Sequence, residues 1–370
     1  MTARCPRGPD AALIAVTLLL LCAGLVMVYS SSSIMAEQKF GSQYYFLKRQ
    51  AAAAIAGFGL LVLFSRLRYA ALQKFALPIL VAAVALLAAV WIPGIGVRVG
   101  GAQRWIHLPG FNVQPSEIAK LALVLFSAML LARKGNRVRE FVPGVLPLLT
   151  VGGVLVLLLL AQPDYGAAVT MIALVGIMLF VAGTRVSYMV YGLLAAPPCL
   201  VLLAATSSYR WARLLAFFDP WATRSGSGYQ IVQSFLAFGA GGWFGAGLGD
   251  GRQKLMYLPE AHTDFIFSVV GEELGLAGVT VIVALYATLV WRGFRIAMDA
   301  PDPFGAYVAL GITSLLGLQA MMNMGVVMGL LPTKGLTLPL MSYGGSSLIV
   351  SLTCVGILLA IGMQSAPVRR

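Results

Sequence analysis

The chain has 370 residues, of which 59% are hydrophobic and 11% are charged, and its mean hydropathy is +0.89. This composition excludes a soluble globular domain. The formal net charge of +13 does not indicate nucleic-acid binding, because the Lys and Arg residues lie mainly in short loops between apolar stretches. No long polar segment could fold separately, so we predict one membrane domain over residues 1–370.

The apolar stretches predict an all-α, polytopic membrane protein with about ten transmembrane helices, since one crossing takes about 20 apolar residues. The predicted spans are 11–30, 50–64, 76–92, 115–132, 144–161, 166–182, 187–205, 265–290, 305–331 and 344–363. The first span is longer than the apolar part of a secretory signal and lacks a typical cleavage site, so we expect it to be retained. The distribution of Lys and Arg among the short loops predicts that both termini are cytoplasmic.

A segment of unusual length, residues 206–264, separates the seventh and eighth spans on the outside. Structureless loops of this length are rare, so we expect internal structure. Residues 229–238 predict a short amphipathic helix with Ile231 on its apolar face and Ser234 on its polar face. The glycine run at 239–251 favours a tight, re-entrant path and lacks the spacing of a nucleotide-binding loop.

Asp264 stands where this long loop meets the eighth span, in the string PEAHTDF at residues 259–265. One interpretation is a helix N-cap, because an aspartate oxygen can accept hydrogen bonds from the first free amides of a helix. The other is a general base that accepts a proton from a substrate hydroxyl. Glu260 and His262 are close enough in sequence to tune the pKa of Asp264.

Two interpretations apply to each of three further charged residues. Glu117 and Lys120 lie three residues apart on a helix that begins at Pro115, so they share a face. They form either an ion pair within the bundle or a contact with substrate. Arg104 precedes Trp105 and is either an interfacial anchor or a substrate contact.

Lys334 lies in an outside turn between the last two spans. A single loop lysine is usually solvated, but together with Arg210, Arg213, Arg252 and Lys254 it could line a pocket for an anionic group such as pyrophosphate. The four cysteines of the chain show neither a disulfide framework nor a metal-ligand spacing. The sequence leaves open whether a divalent cation takes part.

Acidic residues also occur inside the predicted spans. Glu272 and Glu273 would cost several kcal/mol if they were ionised and faced lipid, so we expect them to face protein or water, most simply in a buried pairing. Asp164 is most simply a turn residue.

Several strings together resemble one family. They are RQK at 252–254, YLPEAHTDFIF at 257–267, GEELG at 271–275, LLPTKG at 330–335, SYGGSS at 342–347, QPSE at 114–117 and QPD at 162–164. The chain closely resembles the SEDS proteins of bacterial shape, elongation, division and sporulation over nearly its whole length. Within that family, YLPEAH and PTKG resemble the cell-division branch more than the elongation branch.

The resemblance implies a ten-span fold and a peptidoglycan glycosyltransferase that polymerises lipid II at the outer face of the bacterial cytoplasmic membrane. It implies a class B penicillin-binding transpeptidase and other division proteins as partners. Asp264 occupies the position of the family's essential aspartate and would activate the 4-hydroxyl of the acceptor sugar. The residues expected to bind substrate are Glu260, His262, Lys334, Arg104, Glu117, Lys120, Arg252, Lys254 and Ser342.

Two other functions fit a bundle of apolar helices. A lipid II flippase would need polar residues through the membrane depth that are accessible from both sides, whereas the cytoplasmic loops here are short. A division scaffold without chemistry would use only the packable helix surfaces. We expect the glycosyltransferase.

Overall fold

A computed structural model of the protein describes residues 8–99, 102–108, 111–205, 208–254 and 257–364. The α-helices of this part of the chain are α1 Ala11–Phe40, α2 Tyr45–Arg66, α3 Ala70–Ala89, α4 Pro115–Lys134, α5 Leu146–Ala161, α6 Tyr165–Val181, α7 Val186–Ala205, α8 Ser208–Phe218, α9 Tyr229–Gly241, α10 Ile266–Met298, α11 Pro303–Val327 and α12 Gly345–Gln364. The strands are β1 Gly96–Val99, β2 Ala102–Leu108 and β3 Phe111–Val113. A 3-10 turn, Gly135–Arg139, and a π turn, Phe141–Val145, connect α4 to α5.

The predicted spans coincide with α1 to α7 and α10 to α12. Within the described residues, eight helices are long and apolar enough to cross a membrane, and α6 is a shorter apolar helix. Helix α7 occupies the position of the seventh predicted span. The predominantly helical, multi-pass architecture is therefore confirmed.

Polar contacts at one end of the bundle connect α1 with α10 and α12 with the end of α2. Asp10 caps α1 by accepting from the amide of Leu13 at 3.0 Å and forms an ion pair with Arg292 near the end of α10. Gln364, at the end of α12, donates to the carbonyl of Leu67, just after α2, at 3.0 Å. The start of α1 and the end of α12 thus lie at the same end, as an even number of crossings requires.

The opposite end of the bundle, called the loop end below, carries the strands, α8, α9 and residues 328–344. Here β1, β2 and β3 form an antiparallel sheet in that order, with Gly96 opposite Ile106 and Ile106 opposite Val113. This sheet and α8 were not predicted. Helix α9 was predicted, but Ser234 does not lie on an exposed polar face.

The hydroxyl of Ser234 is fully buried. It lies 2.8 Å from the hydroxyl of Ser268 in α10 and donates to the carbonyl of Val327 at 2.5 Å. These bonds fix α9 against the loop-end termini of α10 and α11, because a buried hydroxyl without partners would cost free energy. The apolar face of α9 therefore includes one satisfied polar side chain.

Helix α10 contains a sharp kink at Gly275, whose φ of 63° and ψ of −163° are non-helical. The part beyond the kink, residues 276–298, is about 34 Å long at a rise of 1.5 Å per residue. That length alone crosses a hydrocarbon core of about 30 Å. The first nine residues of α10, 266–274, are therefore not needed for the crossing and are nearly all buried.

The kink turns residues 266–274 across the loop end of the bundle. Asn323 lies about 30 Å along α11 from Pro303, and its side-chain amide donates to the backbone carbonyl of Asp264 at 2.8 Å. A straight α10 would instead carry Asp264 about 15 Å beyond Gly275. The kink thus brings Asp264 to the level of the last turns of α11.

The glycine run wraps around this kink through backbone contacts. Leu276 and Ala277 donate their amides to the carbonyls of Gly242 and Trp243, at 2.9 and 3.0 Å. A Cβ at Gly275 would overlap the backbone nitrogen of Gly245. The tight path expected of the glycine run is present and depends on glycines at the points of contact, while its re-entry into the membrane stays a prediction.

The carboxylates of Glu272 and Glu273, next to the kink, bind residues of α1 and of the loop that follows the glycine run. Glu272 accepts from the amide of Arg252 at 2.7 Å, and Glu273 accepts from the hydroxyl of Ser30 in α1 at 2.7 Å. Lys254 lies 3.7 Å from Glu273. Both glutamates therefore have the buried protein partners that the sequence led us to expect.

We predict that Gly275→Ala strongly destabilises the protein, because alanine rarely adopts a positive φ and its Cβ would displace the glycine run. The matched control is Gly153→Ala in α5, where a Cβ has nothing within 4 Å and where alanine favours the helix by about 0.5–1 kcal/mol. Thermal unfolding of both variants in detergent measures the difference. Equal melting temperatures for the two variants would contradict the packing described for the kink.

Candidate active site

Asp264 lies in a tight turn that leads into α10. Glu260 begins the turn with a φ of 57°, and its carbonyl accepts from the amides of Thr263 and Phe265 at 3.2 and 3.3 Å. The hydroxyl of Thr263 donates to the Glu260 carboxylate at 2.9 Å. The N-cap residue of α10 is Phe265, and no side chain caps this helix. The N-cap interpretation of Asp264 is therefore wrong, because its carboxylate does not cap α10.

The segment after α11 passes directly beside this carboxylate. A Cβ at Gly335 would lie 2.8 Å from Oδ2 of Asp264, so a larger residue would be forced against the acid. Asn323 donates to the carbonyls of both Asp264 and Leu336, at 2.8 and 2.5 Å. The buried side-chain amide of Asn323 therefore fixes the distance between the turn that carries Asp264 and residues 335–336.

The pKa of Asp264 is raised from 3.8 to about 7. The main cause is the surrounding protein, which removes water from the charged form, and the carboxylate of Glu260 raises the pKa further. Arg104 and Arg213 act in the opposite direction, and Asp164 contributes a smaller increase. Asp264 therefore exchanges a proton near neutral pH, as a general base requires.

Asp164 is a buried residue at the start of α6, 3% exposed. Its Oδ1 accepts from the amide of Ala167 at 3.2 Å, which caps α6, and its Oδ2 accepts from the side chain of Gln114 at 3.3 Å. The amide of Gln114, just before α4, donates to the hydroxyl of Ser346 in α12 at 3.1 Å. The amino-terminal ends of these helices thus converge near Asp264, and their dipoles favour negative charge.

Cationic side chains approach from two other elements. Arg104 lies on β2, and its Nε is buried without a hydrogen-bond partner in the described part of the chain. Arg213 lies on α8 and donates to the carbonyl of Thr333 at 3.4 Å. The neighbouring Lys334 is partly buried, which lowers the pKa of its ammonium group. These charges could stabilise an anion beside Asp264.

The opposite side of the turn faces α1 and α2. The His262 ring packs against Phe46 and Tyr343, with centroids 4.6 and 5.5 Å away, and its carbonyl accepts from the amide of Tyr343 at 2.9 Å. Burial lowers the pKa of His262, and the charge of Lys39 lowers it further, against an opposing contribution from Glu260. His262 also lines a cavity of about 220 Å³.

The arrangement is a carboxylate of raised pKa at one end of a helical bundle, with arginines and helix amino termini around it. A family comparison decides what kind of protein carries it. The family described as "Cell cycle protein", comprising FtsW, RodA and SpoVE, matches residues 10–366. The chain belongs to this family.

Relatives within the family cover nearly the whole chain. The probable peptidoglycan glycosyltransferase FtsW of Geobacter sulfurreducens is 52% identical over 360 residues, which are 97% of this chain and 96% of the relative. The stage V sporulation protein E of Bacillus subtilis is 43% identical over 360 residues, 97% of this chain and 98% of the relative. The SEDS assignment, with FtsW-like sequence character, is therefore confirmed.

Solved structures support the fold. A chain of the structure described as "Structural coordination of polymerization and crosslinking by a peptidoglycan synthase complex" superposes with a TM-score of 0.80 and is 30% identical, covering 96% of this chain and 98% of that chain. The rod shape determining protein RodA of Thermus thermophilus gives a TM-score of 0.71 at 30% identity, covering 96% and 97%. This chain therefore has the fold of these SEDS structures.

Several residues predicted to bind substrate have other partners in this SEDS chain. Glu117 and Lys120 form a buried ion pair of 2.7 Å. The side chain of Lys254 is paired with Glu273. The hydroxyl of Ser342 accepts from the amide of Leu338 at 2.8 Å and closes a turn. Arg252 is exposed. Their contact with substrate stays a prediction.

Near Asp264 the structure brings together Arg104, Glu260 and the Gly335 backbone. Sequence reasoning did not assign Asp164 or Asn323 to the site. The QPD string drew attention to Asp164 but did not indicate which residues lie near it in space. A single Asn inside an apolar span, such as Asn323, carries no specific signal. Arg213 was included only as one of several loop cations. Within the described residues, no group of three His, Cys, Asp or Glu side chains could hold a metal ion.

We predict that the carboxyl group of Asp264 titrates near pH 7 and that Glu260→Gln lowers this midpoint, because the Glu260 charge raises the pKa. Infrared difference spectra of the protein minus its Asp264→Asn variant would follow the protonated carboxyl band with pH. The control is Asp219→Asn, which alters an exposed carboxylate elsewhere in the long loop. A midpoint near 4, or one unchanged in Glu260→Gln, would contradict the electrostatic description.

Proposed function

We propose that this SEDS protein is a peptidoglycan glycosyltransferase that polymerises lipid II into β-1,4-linked glycan strands during cell division. The observation that carries the proposal is the half-buried Asp264 carboxylate, which lies against the Gly335 backbone and is influenced by the charges of Arg104 and Arg213. The relatives named as peptidoglycan glycosyltransferases support the reaction class.

Asp264 acts as the general base. It accepts the proton of the acceptor's 4-hydroxyl as the oxygen attacks the anomeric carbon of the donor sugar. The bond between that carbon and the lipid-linked diphosphate breaks, so the donor is inverted from an α linkage to a β-1,4 bond. A carboxylate whose pKa is close to ambient pH is suited to this step, because it is ionised before the attack and still basic enough to hold the proton.

The departing diphosphate gains negative charge, which Arg104 and Arg213 stabilise. Such preorganised charges are stronger in a site with little water than at an open surface. The amino-terminal ends of α4 and α6 add their positive dipole ends. The donor carries its own activated leaving group, so the reaction needs no nucleotide.

The loop end faces the outside of the bacterial cytoplasmic membrane, and both termini face the cytoplasm. Short loops rich in Lys and Arg at the other end support this orientation. The sugar of lipid II lies outside while its tail lies in the bilayer, so a site at the outer boundary can reach both. A class B penicillin-binding protein is the proposed partner, supported by similarity to a chain of a peptidoglycan synthase complex.

We predict that Asp264→Asn lowers the rate of polymerisation by at least about 100-fold, the usual contribution of a general base. The matched control is Asp250→Asn, which makes the same change at an exposed position of the same loop. Purified protein, with a class B penicillin-binding protein, is incubated with lipid II, and glycan products are resolved on a gel. Normal ladders from Asp264→Asn would reject the assignment, whereas loss in both variants would show that loop charge rather than this acid matters.

A further inference from the structure

A polar cavity lies on the side of the turn that faces α1. It has a volume of about 220 Å³ and separates the last turns of α1 from the loop before α10. It is lined by Ser31, Met35, Lys39, Lys254, Leu258, Pro259, Glu260, Ala261 and His262. The mechanism above gives this cavity no role.

The lining of the cavity favours an anion. Lys39 lies in the last turn of α1, and no carboxylate of a described residue lies within ion-pairing distance of it. Lys254 adds a second ammonium group, anchored by Glu273 at 3.7 Å. The carboxylate of Glu260 opposes these charges but is held by Thr263 at 2.9 Å. Because Glu273 neutralises Lys254, Lys39 is the one ammonium group of the lining without a carboxylate partner among the described residues.

Different cationic side chains act on the two sides of the turn formed by residues 260–265. Arg104 and Arg213 act on the charge of Asp264, whereas Lys39 acts on His262. His262 is two residues from Asp264, at most about 7 Å along an extended chain, and Lys39 lies beyond it across the cavity. Lys39 and the cavity therefore lie on the His262 side of the turn, apart from the arginines that act on Asp264.

This separation matches the chemistry of the two substrates. In the donor, the diphosphate is bonded directly to the carbon that reacts, so it must lie next to Asp264. In the acceptor, the whole disaccharide separates the reacting 4-hydroxyl from the diphosphate. Two anionic groups must therefore be held at two different distances from one carboxylate.

We propose that the cavity between α1 and residues 254–262 binds the diphosphate of the acceptor lipid, with Lys39 as its main cationic contact. This inference rests on the proposed glycosyltransferase function and assigns the donor to the Arg104 side. From the cavity, α1 continues into its apolar residues 11–28, along which the hydrocarbon tail enters the bilayer. Lys39 thereby selects lipid-linked acceptors over free saccharides.

The test separates the two substrate roles. A labelled lipid-linked tetrasaccharide with its terminal 4-hydroxyl blocked serves as donor, unlabelled lipid II serves as acceptor, and the concentration of each is varied in turn. Lys39→Gln should raise the acceptor KM about 10-fold, the loss expected for one charge-assisted contact. Its kcat and donor KM should stay within about twofold of the unmodified protein, and Lys39→Arg should restore the acceptor KM.

Two further variants make the result specific to the cavity. Met35→Trp fills the cavity without changing charge and should also raise the acceptor KM. Lys48→Gln removes an exposed lysine at the start of α2, outside the cavity lining, and should leave it unchanged. An acceptor KM in Lys39→Gln and Met35→Trp that equals the value of the unmodified protein, or an increase confined to the donor KM, overturns the assignment. No labelled product from the unmodified protein with its partner would instead overturn the glycosyltransferase proposal itself.

Discussion

The arrangement of the site depends on direct backbone contact between the glycine run and the kink of α10. Gly275 adopts a positive φ, and the backbone of residues 243–245 occupies the space that a side chain there would need. Because of this contact, α10 can cross the membrane with residues 276–298 and still direct its first nine residues across the bundle. Glu272 binds the backbone of the loop at Arg252, and Glu273 binds Ser30 in α1 and lies 3.7 Å from Lys254, so both buried carboxylates have partners. Without the kink, Asp264 would project beyond the bundle rather than lie beside Gly335.

Around Asp264, opposing electrostatic effects keep its carboxyl group close to a balance between its two protonation states. Burial and the nearby carboxylates favour the protonated form, and Arg104 and Arg213 favour the ionised form. A fully exposed aspartate would be ionised but weakly basic, whereas a buried one without cations would remain protonated at neutral pH. At the loop end of the bundle, Asp264 is both buried by protein and close to Arg104 and Arg213. The same two cations are available to an anionic leaving group.

Much of the fold could be predicted from the sequence, because apolar runs of about 20 residues indicate transmembrane helices. The position of Asp264 at a loop-to-helix boundary and the need of Glu272 and Glu273 for protein partners followed from the same reasoning. Local pattern could not reveal that α10 is kinked, since an isolated glycine such as Gly275 is tolerated inside a helical pattern. It also missed the short strands and the role of Asn323, which depends on which carbonyls it meets in space. The N-cap interpretation failed because the turn from Glu260 places Phe265, not Asp264, at the start of the helix.

If Asp264 is the general base, the side chain at position 264 must face a substrate-accessible space on the outer side of the membrane. Cysteine labelling measures this directly, with Asp264→Cys introduced into a chain whose four native cysteines are replaced. A membrane-impermeant thiol reagent added to intact spheroplasts should label the new cysteine, and added lipid II should protect it. Labelling only after the membrane is permeabilised, or equal labelling with and without lipid II, would contradict the account.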